Sequence, residues 1–581
     1  MFIRLMKCGK GRQKVLLVEG YRDEKGRSRQ RRLKDYGYYD ELLSLDPCFM
    51  EKLQTEANSL SAETKANLVS ITLTNDAPNS LSDGFRWYSV ELLSAIYESL
   101  GLSDICKRHN NKRGYGYDLD EALRLFVFGR LLDPSSKLAT LEHAYPIVST
   151  CNLSSDDIYR SLDEMQRVSK KIERRIYRRV ADIYNRDMTV VFYDVTNYYF
   201  EADIGDDFRK RGPSKENRKD NPLVGMGLLL DAYGMPVSYE LFPGNTHDSK
   251  TLMGSVSSLK RNFPVDKVIV IADKGINAKD NLAYLSRNGD GYILSEKVRG
   301  GSKELIDWIT NEKGWEQSAN GHMVKTRIRT KSVTITSHDQ DREKVKLKER
   351  VIAVYSEKYA AREKVRRSQA IEYLQKYVDN PAKYKAQANK GIKKYLDIYE
   401  VDEVSGEIKE GQAKTFIAIN EDKIAAEALL DGFYLIVTSE LDMEIDEVMK
   451  RYHGLWQIEE TFRVIKSNLK GRPIFVRNEG HINAHFLICF IALVIERIIQ
   501  VRCGFVLSAG RILEALKSAR AHHLGGGLYH IEPQTDDLKI IFGAFDTELD
   551  RTNASITDIR EFGRKVKVAA LSFKNTTKIV K

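Results

Sequence analysis

Residues 452–466 read YHGLWQIEETFRVIK, and as a helix they carry two stripes. Leu455, Ile458, Phe462, Ile465 and Leu469 recur at helical spacing and form an apolar, core-facing seam. Tyr452, Trp456, Glu459, Arg463 and Lys466 recur at the same spacing, about 100° around the axis. A solvated face would intersperse Glu and Lys without large rings. A carboxylate among two cations and two aromatics instead suits a helix lying against phosphates, with an acid ready to hold a metal.

Working outward, MTVVFYDV (188–195) is a β run, apolar on both faces, that ends at Asp194. LVGMGLLLD (223–231) and PVSYELF (236–242) follow as a hairpin, and residues 251–259 as a helix. KVIVIAD (267–273) is a second fully apolar strand, ending at Asp273; NLAYLSRNG (281–289) reads as a helix and GYILSEK (291–297) as a strand. The order β-ββ-α-β-α-β is that of an α/β layer on a mixed sheet, and such sheets place sites at the carboxyl ends of strands. An Asp after a strand also caps turns, and a lone Glu on a helix is ordinary. Two strand-end acids with a third on a patterned helix, however, supply enough oxygen ligands for a pair of hard divalent cations.

Composition limits the alternatives. At 581 residues the chain is expected to hold roughly three to five domains. Six scattered cysteines with no CxxC pair fit a reducing cytoplasm and argue against disulfide or zinc frameworks. The longest apolar run, 486–495, has ten residues and reads as a buried helix, and no signal core follows Arg4 and Lys7. The net charge of +10 is clustered. Residues 1–35, a strand pair KVLLVEGY and RSRQRRLKDYG turning at 23–26, hold twelve Lys/Arg against four acids. RKRGPSKENRK (209–219), which contains Arg209, Lys210 and Arg211, holds six against one, and the last eighteen residues hold six and no acid. Separate basic clusters point to a polyanion touched at several places.

Residues 85–185 read as helices: WYSVELLSAIYESLG, LDEALRLFVFGRLLD, SSKLATLEHA and SKKIERRIYRRVADIY. DPSSKLATLEHAY has a turn and short helix in the manner of a helix-turn-helix, a weak signal. His481 and His485 stand four apart, but no third zinc ligand is evident and the apolar run after them indicates core packing. Trp456 would stack on a flipped base or pack into the core, the latter being commoner for a helical Trp.

These blocks resemble the DDE transposases of prokaryotic insertion sequences, in the insertion-sequence-four-like branch marked by Y-x2-R-x3-E-x6-K. Tyr452, Glu459 and Lys466 match at offsets 0, 7 and 14. YDVTNYYFE (193–201), IADKGIN (271–277), FPGNTHDSKTL (242–252), RPIFVR (472–477), INAHFLICFIAL (482–493) and the N-terminal VEGYRDEKGRSRQRRL (18–33) also look like this family. The signature's Arg falls on Leu455, part of the apolar seam; Arg463, about 20° around the helix from Tyr452, is the expected substitute for its DNA contact.

The resemblance implies a ribonuclease H-like α/β core interrupted by a mainly β insertion. An N-terminal β plus helical DNA-binding region and a C-terminal helical region would flank it. The expected boundaries are a basic β unit (1–60), a helical DNA-binding region (61–185), the first part of the core (186–300), the insertion (301–430), the second part with the Glu helix (431–505), and a C-terminal region with a possible dimerisation role (506–581). Asp194, Asp273 and Glu459 would be the catalytic, metal-holding triad for Mg2+ or Mn2+, as two ions. Tyr452, Trp456, Arg463, Lys466, Arg209, Lys210 and Arg211 would contact DNA. The 186-residue gap from Asp273 to Glu459 houses the insertion, with strands in VKTRIRT, SVTITSH, VIAVYS and KTFIAIN around the helix EKVRRSQAIEYLQKYV. In similar transposases such an insertion touches DNA, here through residues 364–367 and 390–394.

The expected protein is a cytoplasmic, nucleoid-associated prokaryotic transposase. It would bind terminal inverted repeats, cleave and join DNA as a homodimer, and use neither a membrane nor a small-molecule substrate. The alternatives are a ribonuclease H-fold nuclease without strand transfer and a domesticated transposase acting as a DNA-binding protein.

Overall fold

The computed structural model describes residues 1–8, 12–22, 27–66, 85–114, 116–144, 146–148, 151–202, 204–213, 220–336, 342–379, 393–401, 414–525 and 527–571. The chain forms two compact units, Met1–Leu81 and Ser82–Lys581.

The first unit is an antiparallel sheet of β1 (Phe2–Lys7), β2 (Gln13–Arg22) and β3 (Ser28–Tyr38), followed by helices Tyr39–Leu45 and Phe49–Ala66. The expected strand pair gains β1 as a third member, and the turn at 23–26 lies outside the described residues. Val15, Leu16, Leu17 and Val18 of β2 are buried, whereas Arg29, Arg31, Arg32 and Lys34 of β3 are exposed. Part of the basic charge is spent internally, since Arg12 pairs with Asp40 and Glu41, and Lys14 with Asp35.

The second unit opens with β4 (Phe85–Trp87) and five helices, Val90–Ser99, Leu102–Arg113, Leu119–Leu132, Lys137–Glu142 and Ser155–Tyr184. Ser154 and Asp157 close a capping box on the last of these, satisfying donors that a helix start leaves open. In the short helix after Pro134, Lys137 is buried with its ammonium over the Phe126 ring, while Leu138 and Glu142 are exposed.

The central sheet is built from β5 (Val190–Tyr199), β6 (Leu223–Leu230), β7 (Pro236–Pro243), β8 (Ile269–Ala272) and β9 (Gly291–Glu296). Helix Leu252–Asn262 precedes β8 and helix Lys279–Arg287 precedes β9, so the order β-ββ-α-β-α-β stands as read. β5 runs antiparallel to β6 and parallel to β8, and β8 runs parallel to β9. After β9 come β10 (Glu316–Gln317), β11 (Met323–Thr336), β12 (Arg342–Tyr355), a separate pair β13 (Leu396–Val401) and β14 (Lys414–Ile419), and β15 (Phe433–Thr438). The full sheet has nine strands in the order β10-β11-β12-β15-β9-β8-β5-β6-β7. The long strands of the 301–430 segment therefore extend the central sheet, while helix Glu357–Val378 and the β13–β14 pair stand apart from it.

The inner strands are apolar on both faces because both are covered. Val190, Phe192, Tyr198, Ile271 and Ile293 share a core with helices Ser155–Tyr184 and Glu479–Arg502; Val191, Tyr193, Val195, Val270 and Ala272 share the other with helices Leu252–Asn262 and Lys279–Arg287. The ten-residue apolar run is the middle of helix Glu479–Arg502, which is long and apolar enough to cross a membrane by length and composition but has 94% of its most apolar window buried in the protein. The C-terminal region is not purely helical as expected. It supplies β16 (Arg520–Gly525), β17 (Leu528–Ile531) and β18 (Asn553–Ser555), and β16 pairs with β4 to complete a four-stranded sheet. Of the expected basic C-terminal cluster, Arg564, Lys565 and Lys567 lie on helix Ile556–Leu571, with Lys565 paired to Glu561 and Lys567 to Glu98, while 572–581 fall outside the described residues, as do 214–219 of the second basic cluster.

Candidate active site

Strand register sets the site. The last β5–β8 pair is Phe192 with Ile271, so two residues further on Asp194 and Asp273 come level on adjacent parallel strands. β8 ends at Ala272, which leaves Asp273 at the strand end as read. β5 instead runs on to Tyr199, paired with β6, so Asp194 is inside its strand and not at the end. Alternation puts Asp194 on the face of Phe192 and Tyr198, and Asp273 on the face of Ile271.

The helix that carries Glu459 packs on that same face. Leu455, Ile458, Phe462, Ile465 and Leu469 all join the Phe192 core, so the seam is as read. The continuous helix is not: helix Ile445–His453 is followed by a turn at Gly454 and Leu455, then helix Trp456–Arg463, then a π turn Val464–Asn468. The break follows from a close approach. A Cβ on Gly454 would lie 2.6 Å from Phe192 Cζ, so only glycine lets this segment rest on β5 beside Asp194. Tyr452 and Arg463 consequently belong to different helices.

Each expected contact residue has a definite place. Tyr452 is half-buried beside Ser295, Asp273 and Glu459; burial pushes its phenol up, the bond to Ser295 opposes this, and the two acids add to it. Ser295, which sequence reasoning missed, bonds Asp273 at 3.3 Å and so links Tyr452 to the acid. Its signal was its position, two residues past Ile293, which pairs with Ile271. Lys466 donates to Thr196 at 2.7 Å and lies over the Tyr198 ring, which puts it on β5 two residues from Asp194. Trp456 is 58% exposed, so core packing does not account for it. Arg463 is exposed and 3.4 Å from Glu460. Arg209 is a correction: it is buried, bonds Asp206 at 2.8 Å and lies over Phe200, leaving half-exposed Lys210 and exposed Arg211 outward. Of residues 364–367, Arg367 is spent on Asp431, while Lys364 and Arg366 are exposed; in 390–394 only Lys394 has a described side chain, paired with Glu427.

The histidines serve structure. His485 is buried with its ring 3.0 Å from the Gly471 carbonyl, and His481 pairs with Asp163 at 3.1 Å and stacks on Tyr159. Beneath the Glu459 helix, Arg497 donates to Thr461 at 2.9 Å and ties helix Glu479–Arg502 to it. Neighbouring Glu496 is fully buried, neither carboxyl oxygen has a hydrogen-bond partner among the described residues, and burial pushes it up to about 7 against the opposing charge of Arg497.

The donor set offered by Asp194, Asp273 and Glu459 is oxygen only, which fits a hard divalent cation. Asp194 Oδ1 accepts from the Val195 N–H at 2.7 Å, and Asp273 Oδ1 from the Lys274 N–H at 2.6 Å. Among the described residues no three His, Cys, Asp or Glu side chains already stand close enough to cage an ion, so binding would have to draw these carboxylates in.

Solved structures with some likeness include a piggyBac transposase synaptic complex with hairpin DNA, at 10% identity and a TM-score of 0.32 over 74% of this chain and 78% of that one. A Mos1 transposase paired-end complex with the left transposon end follows at 14% identity and a TM-score of 0.14, over 30% of this chain and 58% of that one. A Mos1 mariner paired-end complex with Mn has 12% identity and a TM-score of 0.12, over 40% of this chain and 65% of that one. Likenesses at this level carry no weight in the assignment. No curated protein matches the chain. Residues 185–495, more than half of the sequence and spanning all three acids, match the family described as Transposase DDE domain. The protein thus belongs to the DDE transposases, and the matched region folds as a mixed α/β sheet with helices.

Proposed function

We propose that this protein is the transposase of a prokaryotic insertion sequence of the Y-x2-R-x3-E-x6-K branch. It binds terminal inverted repeats as a homodimer, cleaves DNA and joins the freed end to target DNA. The observation that carries the reading is the level pair Asp194 and Asp273 on one sheet face, with the Tyr452 phenol close enough to feel the charge of both Asp273 and Glu459.

Asp194, Asp273 and Glu459 are the residues that would hold Mg2+ or Mn2+. Such ions, when bound, favour deprotonation of the attacking water and offset charge on the leaving oxygen. Cleavage forms a bond from water oxygen to phosphorus and breaks the bond to the 3′-oxygen, which leaves as a hydroxyl. In joining, that 3′-hydroxyl attacks a target phosphodiester and a target 3′-hydroxyl departs. Lys466, held on β5 by Thr196, places a cation beside the acids for the scissile phosphate. Tyr452 orients Asp273 through Ser295, and exposed Trp456, Arg463 and Arg211, with half-exposed Lys210, face the flanking DNA.

The test uses an uncut and a precut duplex bearing the element's terminal repeat, each with Mg2+ and a target plasmid, the first reporting cutting and the second joining. Wild type gives joined product, and Asp194→Asn binds the duplex but neither cuts nor joins. Cutting without joining by wild type would make it a nuclease, and undiminished cutting by Asp194→Asn would overturn the site.

A further inference from the structure

β11 and β12 form a long two-stranded ribbon, of which β15 covers only Arg350–Tyr355 of β12. On one face of the uncovered part, Lys344, Lys346 and Lys348 recur at every second residue and all are exposed. Their cross-strand partners are Thr334, Ser332 and Thr330, also exposed, so three lysines face three hydroxyls in register. The acids of β12 are on the opposite face and engaged there: Glu343 pairs with Arg287, and Glu349 bonds Arg329 and the Tyr292 hydroxyl, each at 2.8 Å for Glu349. Among the described residues no acid bridges any of the three lysines. A strand that used charge only for solubility would mix signs on its outer face; this one sorts them.

Register also fixes which way the ladder looks. Asp273 is bonded by Ser295, Ser295 pairs with Ile436, and Ile436 pairs with Ile352 of β12. Lys348 is four residues before Ile352, hence on the same sheet face as the candidate acids. It is about 14 Å back along the strand and, counted from β8 across β9 and β15 to β12, roughly 14 Å across.

We propose that this lysine–hydroxyl ladder is a docking surface for the sugar-phosphate backbone of duplex DNA, read without regard to sequence. Alternate residues of a strand are about 6.7 Å apart, a spacing comparable to that of successive phosphates on one strand, and each lysine has a hydroxyl beside it to share a phosphate. The contacted phosphates lie about 20 Å or more from the acids, which is roughly six or more base pairs of duplex. The ladder therefore grips DNA flanking the reacting bond and takes no part in the chemistry. This rests on the DNA-acting reading of the protein proposed above.

The test is the salt dependence of binding by the full chain to a mixed-sequence duplex of about 30 base pairs, wild type against the triple variant Lys344→Gln, Lys346→Gln, Lys348→Gln. Three lost phosphate contacts should flatten the slope of log K against log salt by about 2.7. Strand-face glutamines at exposed positions should leave the melting temperature unchanged, which separates lost contact from lost fold. An unchanged slope overturns the ladder, as would loss of binding to polyglutamate alone, which would assign the face to an acidic protein. If wild type itself shows no salt-dependent DNA binding, it is the functional reading that fails, and the two failures are distinct.

Discussion

Gly454→Ala tests whether close packing on β5 sets the position of Glu459. The added methyl would sit 2.6 Å from Phe192 Cζ, 2.9 Å from its Cε1 and 3.0 Å from the Arg451 carbonyl oxygen. Carbon contacts settle near about 3.5–4.0 Å, so the helix start must retreat by roughly 1 Å. Overpacking of this kind costs about 1–3 kcal/mol, while alanine's better helix propensity returns up to about 1 kcal/mol, leaving a net loss near 1 kcal/mol. Activity is the sharper readout, because a displacement of about 1 Å at a reacting centre lowers rate on the order of 100-fold. Single-turnover cleavage of a terminal-repeat duplex in Mg2+, alongside a thermal melt, measures both. The expected pattern is a small fall in melting temperature with a large fall in rate, partly restored by adding Phe192→Leu to make room. A rate within about threefold of wild type, under 1 kcal/mol of barrier, would refute the idea that this contact positions the acid.

Two further outcomes follow from the same geometry. Trp456→Ala should leave the melting temperature within error of wild type because the ring is 58% exposed, yet weaken terminal-repeat binding by about 1–3 kcal/mol if the ring stacks on a base; titration by fluorescence anisotropy reads the second effect. Glu496 is held neutral by burial, at about 7 against an ordinary 4.5, so its folded value is raised. Stability is fully present below pH 4.5 and is lost as pH rises towards 7, by about 3 kcal/mol in all. Glu496→Gln should therefore match wild type in denaturant melts near pH 4.5 and exceed it at pH 8.

Much of the candidate site was legible because it follows local periodicity. The apolar strand before Asp273 and the two-stripe helix around Glu459 each declare themselves within about ten residues. What was misread depends on partners far away in sequence. Asp194 looked like a strand end because the apolar run stops there, but β6 pairs with residues 195–199 and carries the strand on. The kink at Gly454 comes from Phe192, some 260 residues earlier, and no helical count anticipates it. Arg209 sits in a basic run, and only its bond to Asp206 shows that it faces inward. β16 is short and histidine-rich, and it becomes a strand by pairing with β4 from the start of the unit.

The most direct test of the central claim, that Asp273 with Asp194 and Glu459 holds the reaction's divalent metal, is metal rescue of Asp273→Cys. Thiolate is a poor ligand for Mg2+ and a better one for softer Mn2+. Cleavage of a terminal-repeat duplex by Asp273→Cys should be lost in Mg2+ and return in Mn2+, with wild type active in both and Asp273→Ala in neither. Equal activity of Asp273→Cys in the two metals, or no return in Mn2+ while duplex binding is intact, would contradict the assignment.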